Sequence, residues 1–456
     1  MEHEAFIYKK DLSNTILRKE ILLLAIPAIG EMVLHMIVGV TDVAFVGRLG
    51  VNQLASIGLA TNIFFTLLFI FAAIGVGATA IVARHVGANE LDKANYVTSQ
   101  TFLLSIILAV VIGIFLYFNA ENLMSIFSKE KEVIYYGTTY LKITAFPSIL
   151  ILIFFVLRGV VIGSGNTRLP LLLAFIATTW NVVGNYVLIF GKWGFPALGV
   201  AGAAWSTATA LSLVSIVLII ILFSGRIKVK IQLKHVRFPN WITIKRILKV
   251  SIPAQFEELL RGGGNLLVTL LISINLGAIA YASHTVAITV ESLSFMPGIG
   301  FAIASTTLVG QLLGANKAYE AERVGWEGFK MAGSIMGIFG LIFFFFSETV
   351  VRLFTNDLQV IPIASILIKI AAIEQPLMAL EFVLAGALRG AGDTKWAMYI
   401  SAIGNWFVRV PFLILFIYIL KFNITYIWIA FIIDWTIRAI IAVLRFKSGK
   451  WKEIKV

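Results

Sequence analysis

The stretch Pro27–Gly50, PAIGEMVLHMIVGVTDVAFVGRLG, decides how the chain is read. It is long and apolar enough to cross a bilayer as a helix, yet it carries Glu31, His35 and Asp42. At 100° per residue, Glu31 and His35 are one turn apart and His35 and Asp42 two turns, so all three lie on one narrow stripe. An ionisable side chain in hydrocarbon is costly. It therefore faces a protein interior or a wet cavity and marks an ion or substrate path by default. Asp42 lies about 9 Å along the helix from Arg48, nearer the end of the span than its middle.

The rest of the chain supports the same solvent. Of 456 residues, 59% are hydrophobic and 13% charged, and the mean hydropathy is +0.93. Soluble domains hold about 25% charged residues, so this composition is that of an integral membrane protein. Zero cysteines exclude disulfides, thiolate metal sites and cysteine catalysis. The polar start MEHEAFIYKKDLSNTILRKE lacks the pattern of a cleaved leader. Apolar runs fall at 20–46, 54–82, 98–118, 134–160, 169–190, 199–223, 247–275, 281–312, 326–346, 361–388, 396–419 and 427–445, which predicts twelve spanning helices.

The net charge of +13 is placed by side, not by partner. Lys9, Lys10, Arg18 and Lys19 precede the first span. Arg84 and Lys93 follow the second, and Arg168 the fourth. Arg226, Lys228, Lys230, Lys234, Arg237, Lys245, Arg246 and Lys249 fill the middle break without one acidic residue, and Arg445 to Lys455 continue the pattern. With twelve spans all of these fall on one face, so both termini are expected in the cytoplasm. The charge is then an orientation signal and not a nucleic-acid surface.

The two halves repeat. GVGATAIVARHVGAN at 75–89 corresponds to AIASTTLVGQLLGAN at 302–316, GSGNTR at 163–168 to GAGDTK at 390–395, and Pro27 with Glu31 to Pro253 with Glu257. Six spans per half put both halves in the same orientation, related by an axis along the membrane normal. The expected organisation is an amino-terminal bundle 1–223, a basic linker 224–249 and a carboxyl-terminal bundle 250–456. The expected fold class is an all-α membrane protein of two pseudo-symmetric six-helix bundles facing a central pathway.

VARHVGANELDKA and VGQLLGANKAYEA, TDVAFVGRLG, LRGAGDTK and NYVLIFGKWGFPALGVAGAAWSTATA together resemble the multidrug and toxic compound extrusion (MATE) family over essentially the whole chain. The resemblance implies a secondary exporter that moves amphipathic, often cationic compounds outward in exchange for H⁺ or Na⁺, with no other cofactor. It maps the family's helix-one aspartate onto Asp42, its helix-five asparagine onto Asn181 and its helix-six polar position onto Thr207, beside Ser206 and Thr209. Asn185 stands where one branch has a second aspartate. Arg261 and Met378 stand where some members place acidic residues, leaving Glu257, Glu258, Glu374 and Glu381 as the carboxylates of that half.

A coupling site needs a charge that is neutralised or compensated when the ion binds. A carboxylate beside neutral oxygens does this for a proton or for Na⁺. Asp42 with Asn181 and Asn185 fits, and an aspartate that only ties helices together has the same sequence signature. His35 reads either as a proton relay or as a helix-to-helix hydrogen-bond partner. Glu257 and Arg261, and likewise Asp434 and Arg438, stand at i,i+4 and predict ion pairs. Glu291, Glu374, Glu381 and Arg409 have no assigned face. Glu31, His35, Glu257, Arg261, Met378 and Glu381 are candidate cavity residues. Phe154, Phe155, Met296 and Phe382 serve equally as cavity wall or as packing.

No protease, nucleotide or serine-elbow motif is present, so the chain is expected to be a transporter and not an enzyme. It is expected to act as a monomer on a small molecule in the plasma or inner membrane. A flippase for lipid-linked or anionic amphiphiles, suggested by Arg261 and Arg409, is the alternative. A non-transporting scaffold or receptor fits the repeat and the buried carboxylate less well.

Overall fold

In the computed structural model, which describes residues 12–456, every regular element is helical. The helices are α1 (Asn14–Val46), α2 (Val51–Gly87), α3 (Leu91–Phe127), α4 (Lys131–Ala145 and Ser148–Gly163, bent by 62°), α5 (Arg168–Phe190) and α6 (Val200–Ser224). They continue as α7 and α8 (the two parts of Trp241–Gly314, parted at Gly277), α9 (Ala318–Arg352), α10 (Val360–Gly390), α11 (Thr394–Ile419) and α12 (Ile424–Lys447). Counted so, they are the twelve spans read from the sequence. Several run well past their apolar runs, α3 by seven residues at its start, because a helix keeps its own hydrogen bonds beyond the hydrocarbon.

The chain forms two compact units, and their boundaries correct those drawn from the sequence. One unit is Gly30–Gln255; the other joins Phe256–Val456 to the start of α1 as far as Ile29. Both boundaries fall just after a repeated proline, Pro27 in α1 and Pro253 in α7. The reason is packing. Leu17, Ile21, Leu24 and Ala25 are buried in a core with Phe301, Ala304, Leu308 and Phe446. The basic segment after α6 is likewise no free linker but part of the first unit. Asn95, Ser99 and Gln100 of α3 accept hydrogen bonds from the backbone N–H groups of Lys230, Gln232 and Asn240 at 2.8, 2.9 and 2.8 Å.

The repeat persists to individual bonds. Thr79 donates to the Gly159 carbonyl at 2.7 Å, and Thr306 donates to the Gly386 carbonyl at 2.8 Å. Asn89 and Asn316 both take the left-handed backbone at φ 60, ending α2 and α8 in the same turn. These contacts require glycine on the facing helix. A β-carbon at Gly163 would stand 2.6 Å from the Thr79 carbonyl oxygen, and one at Gly390 2.1 Å from that of Thr306.

Gly163→Ala and Gly390→Ala should therefore each force α2 from α4, or α8 from α10, and cost about 1–3 kcal/mol. Thermal unfolding of the detergent-solubilised variants reads this. Wild-type melting temperatures in both would show that the contacts are not tight.

Candidate functional site

Asp42 sits half-buried on the last turns of α1. Its Oδ1 accepts a 2.5 Å hydrogen bond from Nδ2 of Asn185, which is fully buried on α5. Asn185 Nδ2 also donates to Asn181 Oδ1 at 3.2 Å, and Asn181 Nδ2 donates to Thr207 Oγ1 on α6 at 3.2 Å. Asn181 and Asn185 share a face because they are one turn apart. Ser206 fixes that turn by donating to the Asn181 carbonyl at 2.8 Å. Buried Tyr140 of α4 closes the site against Thr61 and Thr207. The structure thus joins Asp42, Asn185, Asn181 and Thr207 in one hydrogen-bonded chain. Asn185 Oδ1 is buried in it without a hydrogen-bond partner. The result is one carboxylate held by an amide nitrogen, with no arginine or lysine bonded to it among the described residues.

Elsewhere in the same unit the solution is different. Glu31, 1% exposed, is clamped by Arg158 of α4, which donates through Nε to Oε1 and through Nη2 to Oε2 at 2.8 Å. His35 stays partly exposed at 3.9 Å from Glu31 and lies against Phe155. Glu31 is committed to an arginine and not free at a cavity surface.

The other unit repeats this with a shift. Glu257 is held by Arg389 of α10, through Nη2 to Oε1 and Nε to Oε2 at 3.2 Å. The expected Glu257–Arg261 pair is not formed; Arg261 instead turns to Glu258, both of them partly exposed. A two-pronged guanidinium satisfies both oxygens of a buried carboxylate, and here it comes from the facing helix. Arg389 lies one helical turn beyond the residue equivalent to Arg158, so each half reaches the same pairing from a different position. The sequence reading missed both arginines. The available signal was a single arginine inside an apolar run, FFVLRGVVIG and LAGALRGAG, each of which demands a counter-charge.

Asp434 and Arg438 do pair at 2.6 Å, and Arg409 joins them at 2.6 Å from Asp434. The Arg409 guanidinium lies 4.3 Å over Phe431, and Arg438 binds Asn405 at 2.6 Å. Asn405 and Arg409 sit on a π-helical turn of α11, a local widening common at functional sites. Beside them Glu374 is fully buried and faces Glu291, which also meets Gln375 at 3.2 Å. Among the described residues neither Glu374 oxygen has a hydrogen-bond partner other than this carboxyl neighbour. Glu381 is 4% exposed, and Met378 is packed in the core with its sulfur 4.0 Å from the Gln375 amide, so neither presents an open cavity wall.

The long apolar helices and the internal repeat are those of a multi-pass membrane protein. The MatE family model matches residues 27–187 and 253–415, one match per half. A probable multidrug resistance protein NorM of Thermotoga maritima is 32% identical over 439 residues, covering 96% of this chain and 94% of its own. An uncharacterized transporter YisQ of Bacillus subtilis is 26% identical, covering 93% of each. Among solved structures, a MATE protein in complex with MaL6 superposes with a TM-score of 0.90 at 22% identity over 99% of each chain. A MOP superfamily transporter from Pyrococcus furiosus superposes at 0.88 and 22%, over 96% of this chain and 98% of its own. The chain belongs to the MATE family of multidrug efflux transporters and is a multi-pass integral membrane protein.

The pairings make a stability prediction. Arg389→Met strands Glu257 in the interior and should cost about 3–5 kcal/mol, with much of this recovered in the Glu257→Gln/Arg389→Met double variant. Arg261→Gln, which breaks only a partly exposed pair, should cost at most about 1 kcal/mol. Detergent melting curves of the four proteins decide; a larger loss for Arg261→Gln would reinstate the local pair.

Proposed function

We propose that the protein is a secondary antiporter that exports amphipathic, cationic organic compounds in exchange for inward H⁺ or Na⁺, with Asp42 as the coupling carboxylate. The observation that carries this is the partnering of Asp42. It is held by an uncharged amide, so its charge is available to be cancelled by a proton or by a bound cation. Burial disfavours the bare carboxylate. Uptake of a proton neutralises it; Na⁺ would instead draw on the oxygens of Asp42, Asn181, Asn185 and Thr207, of which Asn185 Oδ1 accepts no hydrogen bond among the described residues. Among the described residues no three His, Cys, Asp or Glu side chains converge, so a cation here relies on one negative charge and neutral oxygens.

In this reading the two units alternate access to the substrate, and the ion gradient drives the return by binding at Asp42. The transporter acts as a monomer in the plasma or inner membrane with both termini cytoplasmic.

Asp42→Asn preserves an oxygen able to accept from Asn185 but can take up neither a proton nor the charge of a cation. It should fold, insert and bind dye, yet lose export against a gradient in proteoliposomes. Imposing pH and Na⁺ gradients separately on the wild-type protein identifies the ion. Near wild-type export by well-folded Asp42→Asn would move coupling away from α1.

The orientation is tested in this cysteine-free chain by single cysteines. Those at Asn89 and Asn316 should react with a membrane-impermeant thiol reagent only from the cytoplasm, and one at Lys131 only from outside. Labelling of Asn89 and Asn316 from opposite faces would overturn the parallel repeat.

A further inference from the structure

Lys142 lies inside the apolar run 134–160 of α4, yet it is exposed and forms no ion pair or hydrogen bond among the described residues. A lone cation in hydrocarbon is costly, so its depth and surroundings matter. The packing of α3 on α4 sets the depth. A β-carbon at Gly113 of α3 would stand 2.9 Å from the Ala145 carbonyl oxygen of α4, and one at Gly137 of α4 would overlap the Met124 methyl of α3. Running antiparallel between these two contacts, the helices bring Lys142 level with Tyr117 and Phe118, where the apolar run of α3 ends. The lysine therefore stands at the edge of the hydrocarbon layer and not at its middle. The other half keeps the same arrangement. Lys369 is the equivalent residue and is likewise exposed and unpaired among the described residues, and a β-carbon at Gly340 would fall 2.8 Å from the Ala372 carbonyl oxygen.

Beside Lys142 the surface is concave. α4 bends by 62° between Ala145 and Ser148. The bend borders a groove of about 590 Å³ between α3, α4 and α6, whose lining includes Tyr117, Lys142, Phe146, Pro147, Trp205 and Ser212. Tyr117 is 39%, Trp205 45% and Phe146 64% exposed, and the Tyr117 and Phe146 rings lie 5.4 Å apart. Tyr and Trp favour the level of the headgroups, where one end of the ring is apolar and the other wet. The nearby acids do not supply a counter-charge. Glu121, one turn beyond Tyr117 on α3, is exposed and makes no pair with Lys142, and Glu132 at the start of α4 is engaged by Asn52 at 2.7 Å. An apolar groove with one uncompensated positive charge at its polar edge is complementary to an amphiphile with an anionic head.

We propose that this groove binds an anionic phospholipid, with its phosphate on Lys142 and an acyl chain along Phe146, Pro147 and Trp205. Its leaflet is the one at the α3–α4 turn, the outer leaflet in the orientation proposed above. The site belongs to the unit that carries Asp42 but does not depend on Asp42 being the coupling group.

The purified protein in detergent is titrated with phosphatidylglycerol and, separately, with phosphatidylcholine, and retained lipid is counted by native mass spectrometry. In parallel, a phosphatidylglycerol with a photoreactive acyl chain is crosslinked to the protein and its adducts are mapped by peptide mass spectrometry. Phosphatidylglycerol should be retained preferentially, and less so as salt rises. Its adducts should concentrate on the groove residues of α3, α4 and α6. Lys142→Gln should weaken phosphatidylglycerol binding about fivefold, the worth of one charge at a membrane surface, and leave phosphatidylcholine unchanged. Lys142→Arg should keep the preference, and Phe146→Ser/Trp205→Ser should weaken both lipids. Equal retention of the two lipids by wild-type protein overturns the proposal. So does unaltered phosphatidylglycerol binding by Lys142→Gln, or displacement of the lipid by millimolar inorganic phosphate, which would mark a free-phosphate site. The wild-type adduct map decides even if a variant fails to fold: adducts that avoid the groove also overturn the proposal.

Discussion

A bare charge inside a bilayer is the constraint on which this structure turns. The protein meets it in two ways. Glu31, Glu257 and Asp434 each receive an arginine, delivered from a different helix for the first two and from both the same and a neighbouring helix for the third. A carboxylate so paired is fixed in charge and lends its helices a specific register. Asp42 receives an asparagine amide instead. The amide orients the carboxylate without cancelling its charge. Structural acids and the proposed coupling acid are thus distinguished by the chemistry of their first neighbour.

The repeat constrains the backbone far more tightly than the charges. Thr79 and Thr306, Asn89 and Asn316, and the glycines facing the two threonines do the same work at the same offset. The ionic groups laid on that frame diverge. One unit has Asp42 among neutral oxygens. The other has valine at the equivalent of Asp42 and a cluster of Asp434, Arg409, Arg438, Glu291 and Glu374 around a π-helical turn. Close helix approach depends on backbone shape and tolerates no side chain, so it is preserved. Charge placement depends only on finding a counter-charge within reach, and several positions supply one.

That difference explains what could be read from residues alone. Twelve spans and their repeat were legible because hydrophobic length and glycine spacing are local properties. The Asp42–Asn181–Asn185 face was legible because two of its members are one turn apart on a single helix. Pairing across helices was not. The i,i+4 rule succeeded at Asp434–Arg438 and failed at Glu257–Arg261, where Arg389 reaches in from α10 and Arg261 pairs with Glu258. The orphan Arg158 and Arg389 announced that a partner must exist, without saying which of several carboxylates it was. That the middle segment is held by three α3 side chains was not legible, because its polar, basic composition carries no sign of those bonds.

The division of α1 between the units has a consequence for the connectivity of the chain. Leu12, Leu17, Ile21, Leu24 and Ala25 pack against Phe301, Leu308 and Phe446, and Arg18 binds Glu327 at 2.6 Å. The core partners of this leading half of α1, in α8 and α12, follow it in the sequence only after the whole of the other unit, Gly30–Gln255. Severing the chain within the middle segment would leave that half-helix on the wrong fragment. The core of the second unit is thus completed by a segment separated from the rest of that unit by the entire other unit.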